Sequence, residues 1–178
     1  MNKGLNLFTL LPLFLIVISC EETGNIAPES KVDDIGIAQE SQVAVNLDIK
    51  KVLEMVNAQR TTGRTCGNNI IEPMGELHWN DTLALLALNH SEDMYARDFF
   101  NHKNPDGLSA SDRTKQSDYS GSLQGENIAA QYNSLSTVIN LWFNSPSHCK
   151  NMMRKSTTEV GMARSKEGNY WTMVLGKE

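Results

Sequence analysis

Cysteine and basic residues are both scarce in this sequence of 178 residues. Three Cys are too few for a small protein held together by many disulfides. The 16 Lys and Arg residues are outnumbered by 21 Asp and Glu residues, which gives a formal net charge of −5. Because nucleic-acid binding needs a basic face, this balance argues against a nucleic-acid partner. The sequence also lacks an apolar run of about 18 residues or more, so we do not expect a permanent membrane span.

The short motifs of familiar enzyme classes are missing as well. There is no Gly-x-Ser-x-Gly elbow, no His-Glu-x-x-His, no glycine-rich phosphate loop and no Cys-x-x-Cys. Local motifs therefore indicate no particular reaction.

The sequence begins with an apolar segment that is typical of a secretory leader. Residues 5–19 are mostly apolar, and a single charge, Lys3, precedes them. The segment is too short and too interrupted to span a membrane, but it fits the apolar part of a signal peptide. It ends in the tetrapeptide VISC, which resembles the bacterial lipobox. We therefore predict that residues 1–19 are a lipoprotein signal peptide and that Cys20 is lipidated; the alternative is an ordinary signal peptide followed by a chance Cys.

The remainder divides into a tether and one domain. Lipid on Cys20 would hold the protein at a bacterial membrane, in the periplasm or at the cell surface. Residues 20–46 are rich in polar residues and hold no aromatic residue, which predicts a flexible tether. Residues 47–178 are predicted to form the folded domain. In an oxidising compartment we expect its two cysteines, Cys66 and Cys149, to form a disulfide; two buried free thiols are the alternative.

Hydrophobic periodicity predicts four helices in this domain, each preceded by a residue that can cap it. The predicted helices run from Asp48 to Gly63, from Asn80 to about Phe99, from Ser134 or Ser136 through Trp142, and from Ser145 through Met153.

Strands are predicted mainly near the end of the chain. Glu159–Arg164 and Tyr170–Leu175 are short β-prone runs separated by turn residues, which indicates a hairpin. Ile128–Ala130 and Glu76–Trp79 are two further candidates. Helices and a few antiparallel strands in mixed order are typical of a layered α+β domain.

Five segments of this domain, in order and suitably spaced, resemble one known family. Together they are similar to the CAP superfamily, which comprises cysteine-rich secretory proteins, antigen 5 and pathogenesis-related 1 proteins, in its bacterial form. The segments are VNAQR at 56–60, LHWN at 77–80, FFNH at 99–102 with the following Asp106-Gly107, GENIA at 125–129, and WFNSPSH at 142–148.

This resemblance implies a fold and a site. The implied fold is a three-layer α-β-α sandwich with a small, mainly antiparallel sheet, in a secreted protein. The implied site is a cleft with two His and two acidic residues that holds a divalent metal in relatives. By position in the matched segments the His are His102 and His148, and the first acid is Glu126. Ser145 stands where the second acid is expected, so a metal such as zinc would bind weakly, through His102 and His148.

Each of these residues also has a purely structural interpretation. His102 could be a partly exposed loop residue, and Glu126 could be a buried carboxylate bonded to backbone instead of orienting an imidazole. His148 lies in the first turn of a predicted helix, where the positive helix end favours the neutral ring. It could equally make a structural hydrogen bond. Two other His, His78 and His90, are predicted to be core residues.

Two functions remain open on this basis. The first is an exported, lipid-anchored binding module of the cell envelope, with a lipid or cell-wall ligand and a metal-holding cleft. The second is a metal-dependent hydrolase in which His102, His148 and Glu126 bind zinc and lower the pKa of a zinc-bound water. An apolar groove apart from the His pair would favour the module. A deep cleft at the pair with an open metal position would favour the hydrolase.

Overall fold

A computed structural model describes residues 45–178 of the protein. The predicted signal peptide, Cys20 and nearly all of the predicted tether lie outside the described residues. Within the described range the helices are α1 (Ile49–Thr62), α2 (Asp81–Ala96), α3 (Ala110–Lys115), α4 (Leu135–Asn144) and α5 (Pro146–Met152), and the strands are β1 (Arg64–Cys66), β2 (Asn69–Ile71), β3 (His78–Trp79), β4 (Ser122–Ala130), β5 (Glu159–Arg164) and β6 (Tyr170–Lys177).

Four helices begin at residues that the sequence predicts as caps, although the Ser145 side chain makes no capping hydrogen bond to α5. The Asp48 side chain accepts a hydrogen bond from the Lys51 amide, and Asn80 accepts one from the Leu83 amide at 3.0 Å. Ser134, rather than Ser136, caps α4. The second helix ends at Ala96 instead of Phe99, because Asp98 adopts a left-handed backbone conformation with φ 49°.

Four strands form the main sheet in the order β3-β5-β6-β4. The predicted hairpin is confirmed, since β5 pairs with β6 in antiparallel register. Strand β4 is also antiparallel to β6, whereas β3 is parallel to β5. The sheet is therefore mainly antiparallel, and β4 lies at one edge.

Helices cover both faces of this sheet. Met162 and Met173, both fully buried, lie in the cluster that includes residues of α1, α4 and α5. Their neighbours Ala163 and Val174 belong to a second cluster with Leu83 of α2. Because successive side chains of a strand point to opposite faces, this alternation separates the two helical layers. The expected α-β-α sandwich is confirmed.

A second sheet, the β1–β2 hairpin, carries half of a disulfide. Cys66 is bonded to Cys149, and their Cα atoms lie 5.5 Å apart. The predicted pair is confirmed, and it ties the hairpin to α5. Neither this hairpin nor the helix α3 was predicted from the sequence.

Two histidines were predicted to be buried, and the structure confirms this for one of them. His90 is buried on α2, as expected. His78 is exposed, because it follows the buried Leu77 and strand neighbours face opposite ways. Among the helices of residues 45–178, none has the length and apolar character that a membrane span needs.

Candidate functional site

Glu126 occupies a buried position on the edge strand β4. It stands opposite Val174 of β6, and the side chains of such opposed residues lie on the same face of the sheet. Val174 packs in the α2 cluster, so Glu126 faces the α2 layer. Its side chain is only 4% exposed. A carboxylate in that position needs hydrogen-bond donors, because a buried charge without partners is strongly destabilising.

Two donors take up both carboxylate oxygens of Glu126. The His102 ring donates from Nδ1 to Oε1 at 2.8 Å, and Arg113 donates from Nη2 to Oε2 at 2.6 Å. The hydrogen bond to Glu126 orients the His102 ring with Nδ1 towards the carboxylate. The other ring nitrogen, Nε2, takes no part in this contact. The sequence predicted that Glu126 lies within hydrogen-bond reach of one of the two His, and His102 is the one.

Arg113 is the member of this cluster that sequence reasoning missed. It lies on α3, which begins with a reciprocal capping box between Ser109 and Asp112. Its Nη1 also donates to the backbone carbonyls of His102 and Leu108, at 2.9 and 3.0 Å. Arg113 therefore holds the loop that carries His102. The capping-box pattern in the sequence was the signal that could have revealed this helix.

His90 lies directly behind the Glu126 carboxylate. Its Nε2 donates to the Asn101 carbonyl at 3.1 Å and lies 4.0 Å from Glu126 Oε1. Burial lowers the pKa of His90, and the Glu126 charge opposes part of that shift. The Nδ1 atom has no hydrogen-bond partner within residues 45–178. His90 is thus a neutral core residue that lies next to Glu126 on its buried side.

His148 reaches the same region from the opposite helical layer. Its backbone carbonyl accepts from the Asn127 amide group at 3.2 Å, and Asn151 of α5 donates to Asn127 at 3.0 Å. Asn127 follows Glu126 on β4 and so faces the other side of the sheet. Burial lowers the pKa of His148, and the nearby His102 lowers it further.

The donor set does not fit a resident divalent metal. Both oxygens of Glu126 already accept hydrogen bonds, and Ser145, at the position of the missing acid, has its hydroxyl 3.3 Å from that of Ser147. Within residues 45–178, no three or more His, Cys, Asp or Glu side chains are grouped so that they could hold a metal ion. This leaves the imidazoles of His102 and His148, and weak zinc binding by these two stays a prediction.

A groove of about 520 Å³ adjoins His148 at the end of β4. Its size is within the usual range for small-molecule sites. Among the described residues that line it, none is Asp, Glu, Lys or Arg. The walls are mainly apolar and aromatic, and they include Phe100, Ile128, Tyr132, Leu141, His148 and Tyr170.

A second concavity lies along α1, away from the two imidazoles. It measures about 740 Å³ and includes Leu53, Leu77 and the exposed His78. Lys50 and Glu54 also line it, so its surface mixes charges with apolar groups.

These features define an α-β-α sandwich domain with an imidazole–carboxylate cluster at the edge of its sheet. The sequence matches the Cysteine-rich secretory protein family, CAP, over residues 53–175. The chain belongs to this family, as the five segments indicated.

Relatives share the domain but are longer. The chain is 31% identical over 129 residues to the protein YkwD of Bacillus subtilis strain 168, a match that covers 72% of this chain and 47% of YkwD. It is 27% identical over 123 residues to the membrane protein YlbC of the same organism, covering 69% of this chain and 32% of YlbC. The chain thus spans less than half the length of these two relatives.

Solved structures show the same fold. An extracellular protein with an SCP domain from Bacillus anthracis aligns with a TM-score of 0.62 at 26% identity, covering 72% of this chain and 40% of that protein. An outer surface protein of Borrelia burgdorferi aligns with a TM-score of 0.58 at 22% identity, covering 74% of this chain and 96% of that protein.

Proposed function

We propose that this protein is a ligand-binding module of the bacterial cell envelope, exported by residues 1–19 and anchored through lipid on Cys20. The leader and the tetrapeptide that ends in Cys20 support the anchor. Membership of a family of secretory proteins supports export, as does the likeness to an extracellular protein of Bacillus anthracis. The groove beside His148 is the ligand site in this proposal.

The mainly apolar groove carries the choice of binding over hydrolysis, and the pairing of Glu126 removes one candidate general base. A hydrolase that used Glu126 as its base would need a carboxylate oxygen free to take a proton from water. The Glu126 carboxylate accepts from His102 and Arg113 at 2.8 and 2.6 Å, so its oxygens are committed to holding the loop and the ring. In this proposal Glu126 is a positioning residue.

The groove offers what a binding site requires. Apolar and aromatic walls supply contact area, and a few polar groups, including Ser145 and His148, orient a ligand. Phe100 is 54% exposed and Leu141 is 38% exposed, although both are large apolar side chains. Exposed apolar side chains that share one concave surface are typical of an interaction site.

The proposal is tested by what the protein carries when it is purified. The full chain is isolated from bacterial membranes under native conditions, and small molecules are released by denaturation and measured by mass spectrometry. We expect one compound class at near-stoichiometric amounts with the wild type, and at least about fivefold less with Leu141→Ala, because contact area is lost.

Ile70→Ala is the matched control, because Ile70 is 80% exposed on β2 and is not among the groove residues. It should release as much compound as the wild type. Equal release from all three proteins, or release from none, would contradict binding in this groove.

A further inference from the structure

We propose that the ligand of the groove is a neutral carbohydrate whose pyranose rings pack on Phe100 and Tyr170. This inference rests on the proposed binding function and names the chemical class of the ligand.

Three aromatic rings follow one another at the surface beside β6. The ring centroids of Tyr95 and Tyr170 lie 6.4 Å apart, and those of Phe100 and Tyr170 lie 6.5 Å apart. Phe100 and Tyr95 are 54% and 40% exposed, so water now covers much of their apolar faces. Aromatic rings supply a large rigid contact area at a low cost in conformational entropy. The ring planes are tilted by 53° between Tyr95 and Tyr170 and by 49° between Phe100 and Tyr170, so each ring offers its own apolar face to the C–H face of one sugar unit.

The lining also selects for an uncharged ligand. No Asp, Glu, Lys or Arg is found among the described residues around the groove, so an anionic polymer would find no cation to pair with. The chain as a whole carries a formal charge of −5, which repels anions further.

Polar groups in the lining distinguish a sugar from an acyl chain. Gln131 and Ser145 contribute an amide and a hydroxyl to the lining, and the imidazole of His148 is a third polar group there. A hydrocarbon chain laid across these groups would desolvate them without replacing their hydrogen bonds, which is unfavourable. Sugar hydroxyls both donate and accept, so they can pair with all three.

The test compares neutral sugars with an acyl compound on the full chain carrying Cys20→Ser, which has no thiol at the predicted lipid site. Tetra-N-acetylchitotetraose, maltotetraose, cellotetraose and mannotetraose are titrated by calorimetry, and so is 1-decanoylglycerol. We expect at least one tetrasaccharide to bind. Phe100→Leu should weaken that binding about tenfold, because the aromatic face is lost while apolar volume is kept.

Phe100→Tyr keeps the aromatic ring, so its affinity for the tetrasaccharide should stay within about twofold of that of the protein with Phe100. Ile70→Ala should leave this affinity unchanged. If no tetrasaccharide binds, or if Phe100→Leu has no effect, the carbohydrate proposal is wrong. Binding of 1-decanoylglycerol alone, weakened by Leu141→Ala, would overturn the carbohydrate class and leave the groove as a ligand site. Binding of no probe, together with no compound released from the purified protein, would overturn both proposals.

Discussion

At the scale of single residues, the Glu126 carboxylate organises the cleft. It is held between an imidazole from the loop after α2 and a guanidinium from α3, and His90 lies behind it. The three neighbours come from different parts of the chain. Removing the Glu126 carboxylate would leave Arg113 without its charged partner. Breaking a buried ion pair in this way is more costly than replacing both members.

Weak zinc binding at the two imidazoles is a prediction from the family resemblance. We expect weak affinity for zinc in the full chain at pH 7.5, because His102 and His148 would supply two ligands without a carboxylate from Glu126. Affinity should fall at pH 5.5, because protons compete with zinc for the imidazole nitrogens. Calorimetric titration measures both values.

His102→Ala and His148→Ala should each abolish measurable zinc binding, whereas His78→Ala should not, because His78 is exposed on β3 away from the cleft. Equal zinc affinity in all four proteins would remove the two-imidazole site.

His90 should make stability depend on pH. Burial lowers the pKa of His90 in the folded protein, so below about pH 6.5 the unfolded chain binds a proton that the folded chain resists. Stability from the neutral ring is therefore present above that pH and is lost as the pH falls. His90→Gln should lower the free energy of unfolding at pH 7.5. On acidification the variant should lose less of its free energy of unfolding than the wild type loses.

Denaturant unfolding at pH 7.5, 6.5 and 5.5 gives the comparison. The gap between wild type and His90→Gln should narrow towards acid by up to about 1.4 kcal/mol per pH unit. His148 shifts in the same direction and is retained in both proteins, so it does not affect the gap. If the difference in free energy of unfolding between the two proteins stays constant from pH 7.5 to 5.5, His90 does not contribute to the pH dependence of stability.

At the scale of elements, the contact between α2 and β5 depends on a glycine. A Cβ atom at Gly161 would overlap the backbone of Leu83 and Ala84, so the helix lies directly on the strand. Gly161→Ala should reduce the free energy of unfolding by about 3 kcal/mol, because backbone has to move. Denaturant unfolding tests this value.

Gly75→Ala is the matched substitution, since a Cβ there meets no atom within 4 Å. Its effect on stability should stay within about 0.5 kcal/mol. Similar losses for the two variants would mean that the close approach of α2 to the sheet is not what matters at Gly161.

The elements also show how far the sequence could be interpreted. The helices α1 and α2 were predictable, because capping residues precede apolar stripes that bury against the sheet. The hairpin of β5 and β6 was predictable from two β-prone runs around a turn. In contrast, β1 and β2 have three residues each and α3 has six, which is too short for periodicity to be recognised.

The residues of the site also divide into those with a local sequence signal and those without one. Motif positions identified His102, Glu126 and His148 as site candidates, and the structure places Glu126 on β4, His148 on α5 and His102 in the loop between α2 and α3. The Arg113 contact depends on α3 folding back onto β4, which is a tertiary arrangement with no local signal of its own. The groove was not predictable for the same reason, because it joins residues from four separate segments.

At the scale of the whole molecule, the anchor is tested by partitioning. We expect the full chain, expressed in a Gram-negative host, to sediment with membranes and to carry lipid mass on its mature N-terminus. Cys20→Ser should abolish the lipid mass and the processing at that site. Ser19→Ala keeps a small residue before Cys20 and should behave as the wild type. Unchanged processing and partitioning of Cys20→Ser would contradict the anchor.

The central claim is that the sheet edge binds a ligand and does not cleave it. The most direct measurement incubates the full chain carrying Cys20→Ser with isolated bacterial envelope material, and quantifies both the retained protein and the soluble fragments released. We expect retention that falls at least about fivefold in Phe100→Ala, with no fragments above those in a buffer control. Fragments that are released by this protein and by its Ile70→Ala derivative, but not by its His102→Ala derivative, would contradict it.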